Sequence, residues 1–134
     1  MIYIDANIFI YALAGRDGDI DTIKSKKILV DVWSNKIQAC TTILTWDEVF
    51  YFIKRHIGEA DAINKGKMLI SFPNLSFIEI NKKTIVDAQS LCENYHLDPR
   101  DAIHGACALS HCSGAILSND GDFDSITGIS RSYN

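Results

Sequence analysis

Residues 1–15 read MIYIDANIFIYALAG, and two strongly polar side chains, Asp5 and Asn7, stand inside this otherwise apolar stretch. Residues 1–4 are typical of a short buried strand, and residues 6–13 of a short helix that begins directly after Asp5. A carboxylate at such a junction must be paired, lie in a solvated cleft or bind a cation, because an isolated buried charge is too costly to keep. The stretch therefore predicts a strand–helix unit with a partner or a cation at its junction.

The remainder of the chain alternates between predicted helices and strands. Amphipathic or strongly apolar runs predict helices over 21–35, 43–57, 59–72, 82–95 and 99–112. Shorter apolar runs predict strands over 37–42, 76–80, 114–118 and 128–130, with a loop over 119–124. This alternation indicates an α/β fold, in which a parallel sheet is covered by helices on both faces.

Length and composition indicate one ordinary globular domain spanning residues 1–134, since 47% of the residues are hydrophobic and 22% are charged. The first residues lack the basic segment of a signal peptide, and no apolar run is long enough to span a membrane, so we expect a cytoplasmic protein. The net charge is −4, which does not indicate nucleic-acid binding by the chain as a whole. Binding of a polyanion would therefore require local basic patches or metal ions.

Cysteine usage points to the same compartment. Four cysteines are scattered along the chain without a C-x-x-C pair: Cys40, Cys92, Cys107 and Cys112. This spacing argues against a zinc ribbon and favours buried thiols in a reducing compartment, although the sequence leaves a disulfide open.

Four carboxylates occupy positions that favour a ligand-binding site. Asp5 ends the first strand and Asp120 follows the strand at 114–118, so both project from the carboxyl edge of a parallel sheet, where α/β folds bind ligands. Asp101 lies in the first turn of a helix, where an acid also complements the helix dipole. Small residues after Asp101 allow that helix to approach the sheet. Glu48 stands in an apolar helix and is either an ion-pair partner or a ligand.

Convergence of these acids would require cations. Carboxylates that approach one another repel unless a divalent ion lies between them, and sets of oxygen ligands select Mg²⁺ or Mn²⁺. Such ions activate water in phosphoryl chemistry. Removing the four acids from the 17 in the chain leaves 13, equal to the 13 lysines and arginines, so the acidic excess is accounted for by the predicted site.

Four motifs in this order resemble the PIN-domain family: IDANIFIYAL, WDEVFYFI, RDAIHGACA and LSNDGDFDSI. The resemblance covers essentially the whole chain. It implies a three-layer α/β/α fold with a parallel sheet of about five strands in the order 3-2-1-4-5. It also implies a metal-dependent ribonuclease, and the small single-domain members of the family include the VapC-type toxins of prokaryotic toxin–antitoxin pairs.

The resemblance also implies roles for individual residues. Asp5, Glu48, Asp101 and Asp120 would be the catalytic acids and the ligands of Mg²⁺ or Mn²⁺. Asp122 would add a ligand, Asn7 would support the first acid by hydrogen bonding, and Ser118 occupies a position for a hydroxyl. Separately from the resemblance, Arg100 adjoins Asp101 and would either bind a substrate phosphate or pair with a site carboxylate when metal is absent. The implied partners are RNA and a small antitoxin, and the apolar runs IFIYAL and VFYFI favour a homodimer.

Other interpretations are open at this point. His104, Cys107 and His111 lie near one face of a helix and suggest a transition-metal site as an alternative. Three ligands on one helix rarely converge on a single ion, which favours core or surface roles for these residues. A haloacid-dehalogenase-like phosphatase would need an Asp where Asn7 stands, and a receiver domain would need a Lys where Asn119 stands. An RNA-processing PIN nuclease without an antitoxin and a non-catalytic metal-binding or RNA-binding module remain as alternatives.

Overall fold

The computed structural model describes residues 1–133 and contains a five-stranded sheet between two layers of helices. The strands are β1 (Ile2–Ile4), β2 (Ala39–Thr42), β3 (Leu75–Ile78), β4 (Ala115–Leu117) and β5 (Ser130–Ser132). The helices are α1 (Ala6–Ala14), α2 (Ile20–Trp33), α3 (Ile43–His56), α4 (Glu59–Ile70), α5 (Lys82–Tyr95) and α6 (Pro99–His111), followed by a 3₁₀ helix at Gly121–Ser125.

All neighbouring strands are parallel, and their order is β3-β2-β1-β4-β5. The predicted order is thereby confirmed. The chain moves outward from β1 through β2 to β3 and then returns along α5 and α6 to place β4 on the other side of β1. The carboxyl ends of β1 and β4 therefore lie side by side at the switch point, where open α/β sheets form their binding crevice.

Alternation along the central strands builds one core on each face of the sheet. Tyr3 and Ile116 are fully buried on the face covered by α5 and α6. Ile4 and Leu117, the next residue on each strand, are buried on the face covered by the first four helices. Successive side chains of a strand point to opposite faces, so these short apolar strands require two helical layers.

Small residues let α6 approach the sheet, as the sequence predicted. Ala106 and Ala108 are buried on this helix. A Cβ atom added at Gly105 would lie 3.4 Å from side-chain carbons of Leu91 and Ile126, which is ordinary van der Waals contact. The first turn of α6, which carries Asp101, is held beside the carboxyl ends of the strands by this packing.

The chain differs from prediction after β4. Part of the predicted loop forms the 3₁₀ helix, and β5 begins at Ser130 instead of residue 128. Gly128 lies in a turn with a φ of 90°, and the backbone N–H of Ser130 donates to the carbonyl oxygen of Gly114 at 2.8 Å. The strand therefore begins two residues later than predicted. Both carboxylate oxygens of Asp124, at the end of this segment, accept hydrogen bonds from Arg131 at 2.8 Å.

Three of the four cysteines are buried, and Cys92 is half-buried. Cys40 on β2 and Cys112 at the end of α6 are free thiols whose sulfurs lie 3.1 Å apart. Within residues 1–133, no helix is both long enough and apolar enough to cross a membrane.

Gly114 provides a test of the connection between α6 and β4. Its φ is 84°, and an added Cβ would lie 1.8 Å from the carbonyl oxygen of Gly128. Gly18 also has a positive φ, of 92°, but a Cβ there would meet nothing within 4 Å. We expect Gly18→Ala to lower the free energy of unfolding by about 1 kcal/mol and Gly114→Ala by at least about 2 kcal/mol more, because the second also displaces backbone. Equal losses in urea unfolding would contradict this packing.

Candidate metal centre

Asp5 forms the buried floor of the site. It is the N-cap of α1, where its Oδ1 accepts a hydrogen bond from the Ala6 N–H at 2.8 Å. Its Oδ2 accepts one from the Ser118 hydroxyl at 2.7 Å, and the residue is only 5% exposed. Burial raises the pKa of Asp5, while the nearby His104 and the Ser118 hydrogen bond act in the opposite direction. The carboxylate is thus fixed in position by two donors.

Ser118 connects Asp5 to the loop that follows β4. The Ser118 hydroxyl donates to Asp5 and accepts a hydrogen bond from the Asp120 N–H at 3.0 Å. Asn7, in the first turn of α1, donates through Nδ2 to Asn119 Oδ1 at 2.5 Å and to Ser118 Oγ at 3.4 Å. Asn7 is therefore connected to Asp5 by hydrogen bonds through Ser118. The helix places the Asn7 amide toward the loop after β4.

Glu48 reaches Asp5 from the second turn of α3, together with a buried histidine. Its two carboxylate oxygens lie 3.3 and 3.2 Å from His104 Nε2, and Asp5 Oδ1 lies 3.6 Å from the same nitrogen. Burial alone would lower the pKa of His104, but the Glu48 hydrogen bond and the charges of Asp5 and Glu48 raise it overall. His104 and Asp5, which are buried, and the half-buried Glu48 form a triad whose ligand atoms lie within 4.8 Å of one another.

Three further acids form a second, more exposed triad. Asp101, Asp120 and Asp122 each offer an oxygen, and these atoms also lie within 4.8 Å of one another. Asp120 caps the 3₁₀ helix by accepting the Asp122 N–H at 2.9 Å. Burial and the negative charges of Asp120 and Asp5 raise the pKa of Asp101 to about 6. That repulsion shows the two triads to be electrostatically adjacent.

Arg100 lies at the rim of the site. Its side chain is largely exposed, and Nε lies 4.0 Å from Glu48 Oε1, which is a long ion pair. Beside it is an open cleft of about 720 Å³, lined by Ile10, Glu48, Tyr51, Phe52, Asp98, Pro99, Arg100 and Asp101. The cleft places aromatic and cationic side chains next to two of the acids.

The donor set fits a divalent cation. Carboxylate oxygens form two neighbouring triads, and burial together with the charges of Asp120 and Asp5 raises the pKa of Asp101. A cation of the Mg²⁺ or Mn²⁺ type has the charge and the oxygen preference to relieve that repulsion. The site residues named from sequence thus lie together, with Asp122 at the exposed edge and Arg100 at the rim.

His104 also belongs to this site, although its place there is not evident from the sequence. Of the three residues His104, Cys107 and His111, only His104 faces the acids. Cys107 is buried in the core and His111 is exposed. Asp101 and His104 are three positions apart in the sequence, which places both on one face of α6 and could have indicated that His104 accompanies the acid. Because the helix is apolar on that side, a core position was the simpler interpretation.

Comparison with known proteins agrees with this fold. The model of the PIN domain family matches residues 2–129, and a search of curated protein sequences found no significant match. The VapC20 toxin of Mycobacterium tuberculosis, described as cleaving the sarcin–ricin loop, aligns with 14% identity and a TM-score of 0.74, over 96% of this chain and 97% of the toxin.

Two other solved structures are similar. A toxin–antitoxin complex from Klebsiella pneumoniae contains a chain with 24% identity and a TM-score of 0.70, covering 97% of this chain and 96% of that one. VapBC2 from Rickettsia felis, bound to a DNA fragment of its promoter, contains one with 18% identity and a TM-score of 0.74, covering 98% of both chains. At these identities the solved structures establish the fold, while the family model spans nearly the whole sequence. The chain belongs to the PIN-domain family.

Proposed function

We propose that this protein is a metal-dependent endoribonuclease built as a single domain, and the toxin of a VapBC-type toxin–antitoxin pair. The observation that supports the proposal most strongly is the proximity of two groups of acids at the switch point of a PIN-family sheet. One group contains Asp5 and Glu48, the other contains Asp101 and Asp120, and they are close enough for the charges of Asp5 and Glu48 to act on Asp101. These four carboxylates would hold Mg²⁺ or Mn²⁺, with Asp122 as a further ligand at the edge. When bound, such an ion activates water toward a phosphodiester and stabilises the leaving oxygen.

The protein contributes a rigid set of oxygens. Asp5 cannot rotate freely, because the Ala6 N–H and the Ser118 hydroxyl each hold one of its oxygens. Asp120 is fixed in the same way by capping the 3₁₀ helix. Ligands oriented by hydrogen bonds from outside the ligand set bind metal with less reorganisation.

The cleft beside the acids suits a single RNA strand. Tyr51 and Phe52 line this cleft, and the exposed Tyr51 ring is suited to stacking on an unpaired base. Arg100 presents a largely exposed guanidinium suited to a phosphate, since its ion pair with Glu48 is long. A cytoplasmic location, as expected from the sequence, would place the protein in the same compartment as the proposed RNA substrate.

An apolar groove between α1 and α2 suits the proposed antitoxin. Val30 and Trp33 are 62% and 61% exposed there, and the other apolar residues of the groove are Ala12, Leu13, Leu29 and Phe72. The similar structures from Klebsiella pneumoniae and Rickettsia felis are toxin–antitoxin assemblies. A second copy of this chain is the other proposed partner, because α4 exposes Ile63, Met68 and Ile70.

Cleavage of RNA tests the nuclease. The purified protein is expected to cleave a mixture of structured and unstructured RNAs with Mg²⁺ or Mn²⁺ and to stop in EDTA. Asp5→Asn and Asp101→Asn should each reduce the rate by more than about 100-fold, since loss of a ligand exceeds the loss typical of its outer-shell partners. The matched control is Asp47→Asn, which removes an exposed acid next to Glu48 on the same helix. Wild-type rates in folded Asp5→Asn protein would refute the assignment.

Stability without metal should depend on pH in a defined direction. The pKa of Asp101 is raised to about 6 from 3.8, so the folded state retains a proton that the unfolded state has lost, and stability decreases as pH rises through about 6. The raised pKa of His104 has the same sign, because its stabilising charge is present below its unfolded pKa and is lost as pH rises through the folded pKa.

We therefore expect the Tm in EDTA to be lower at about pH 7.5 than at about pH 5.5. Asp101→Asn should reduce this difference, and Mn²⁺ should raise the Tm chiefly at the higher pH. A Tm that increases with pH in EDTA would contradict the proposed repulsion.

The toxin role has its own test in living cells. Induced expression of the wild-type chain in a bacterial host should arrest growth, while equal amounts of Asp101→Asn protein should not, because the arrest requires RNA cleavage. RNA cleavage in vitro without any growth arrest would instead favour an RNA-processing nuclease. Metal and RNA binding without cleavage would favour a non-catalytic module.

A further inference from the structure

We propose that the imidazole of His104 is a ligand of the cation held by Asp5 and Glu48, and that this nitrogen makes the site prefer a first-row transition ion such as Mn²⁺ over Mg²⁺. The inference rests on the proposed function, because the cation is the one assigned there to RNA cleavage. It adds a nitrogen ligand to a site that the sequence and the fold described only in terms of oxygens.

The position of the ring carries the proposal. His104 is 1% exposed, and its Nε2 lies 3.2 Å from Glu48 Oε2 and 3.6 Å from Asp5 Oδ1. Metal bonds of about 2.0 to 2.2 Å to nitrogen and oxygen place neighbouring ligand atoms roughly 3.0 to 3.5 Å apart. The ring already points at both carboxylates, so coordination requires no change of rotamer, only the absence of a proton on Nε2.

The other ring nitrogen is held as it is in histidine metal ligands. His104 Nδ1 lies 2.6 Å from the Tyr3 hydroxyl, which lies 3.0 Å from Thr42 Oγ1. Burial raises the pKa of Tyr3, so the phenol keeps its proton. With hydrogen on Nδ1, the ring donates to Tyr3 and Tyr3 donates to Thr42. When a cation displaces to solvent the Nε2 proton that the ring otherwise donates to Glu48, this order leaves the Nε2 lone pair directed at Asp5 and Glu48. A metal-bound histidine nearly always has such a partner on its second nitrogen.

A core role alone explains less of this arrangement. A histidine that only filled space on α6 would need a partner for each nitrogen, and Tyr3 with one acid would suffice. His104 instead contacts carboxylates from two different elements, the end of β1 and the second turn of α3. Those two acids belong to the proposed ligand set, which places the imidazole inside that set and not behind it.

Nitrogen in the ligand set changes the preferred ion. Mg²⁺ favours oxygen ligands, keeps several waters and has little affinity for imidazole. First-row transition ions accept mixed nitrogen and carboxylate ligands, with affinities that increase from Mn²⁺ toward the heavier ions. The second triad, Asp101, Asp120 and Asp122, offers oxygens alone, so the preference would arise in the triad that contains His104.

Pulsed electron paramagnetic resonance of bound Mn²⁺ tests the ligand directly. The wild-type protein with Mn²⁺ should show nuclear modulation from a coordinated ¹⁴N, and growth with ¹⁵N-histidine should replace it by the ¹⁵N pattern. This labelling needs no substitution, so it remains decisive even if a variant at this buried position fails to fold. Modulation that is absent from the wild type, or unchanged by the label, would overturn the proposal.

Two substitutions assign the signal to one residue. His104→Gln should abolish the modulation, while His111→Gln, an exposed histidine on the same helix, should retain it. In calorimetric titrations, His104→Gln should weaken Mn²⁺ binding by roughly 10-fold or more and change Mg²⁺ binding much less. Equal loss for both ions would contradict the proposed selectivity.

The outcomes separate this inference from the nuclease assignment. RNA cleavage by a wild-type protein whose Mn²⁺ shows no histidine nitrogen would retain the nuclease and reject the ligand. Nitrogen modulation in a protein that cleaves no RNA would retain the ligand and reject the nuclease.

Discussion

The carboxylate of Asp5 is buried at the end of β1, with 5% of the residue exposed, and it must be stabilised by groups from several elements. The first N–H of α1 holds one oxygen, and the Ser118 hydroxyl after β4 holds the other. His104 approaches from α6. These contacts join β1, β4, α1 and α6 at one point. Their loss would leave a buried charge without partners, which would destabilise the fold by several kcal/mol.

Repulsion among the acids connects stability with function. A protein that places Asp101 where burial and neighbouring acids raise its pKa to about 6 is less stable without a cation than it would be with an amide at that position. Active sites commonly keep such unfavourable interactions because the ligand relieves them. The two triads differ in their surroundings, since one is largely buried and includes His104, while the other is more exposed and contains only carboxylates. The site can therefore combine a rigid floor with an open side that faces the cleft.

Much of the fold was predictable from sequence, because short apolar strands, amphipathic helices and the small residues of α6 allow few arrangements. Asp5, Glu48 and Asp120 stand out in the sequence because acids are unusual at those junctions or in that apolar helix. Asp101 lies in a first helical turn, where an acid is common, so its selection depended on the resemblance to the PIN-domain family. The roles of all four as metal ligands remain a prediction. His104 could not be placed in the site, since its role depends on how closely α6 approaches α3. The link from Asn7 to Asp5 through Ser118 likewise depends on contacts between elements far apart in sequence.

The central claim is that carboxylates from β1, α3, α6 and the loop after β4 form one cation site. Anomalous diffraction from crystals of the protein soaked in Mn²⁺ tests it most directly, because the anomalous signal locates the ion without reference to activity. We expect a peak within bonding distance of Asp5 and of at least one of the other three acids, Glu48, Asp101 and Asp120. A peak confined to other surface acids, or no peak at Asp5 in crystals saturated with Mn²⁺, would contradict the account.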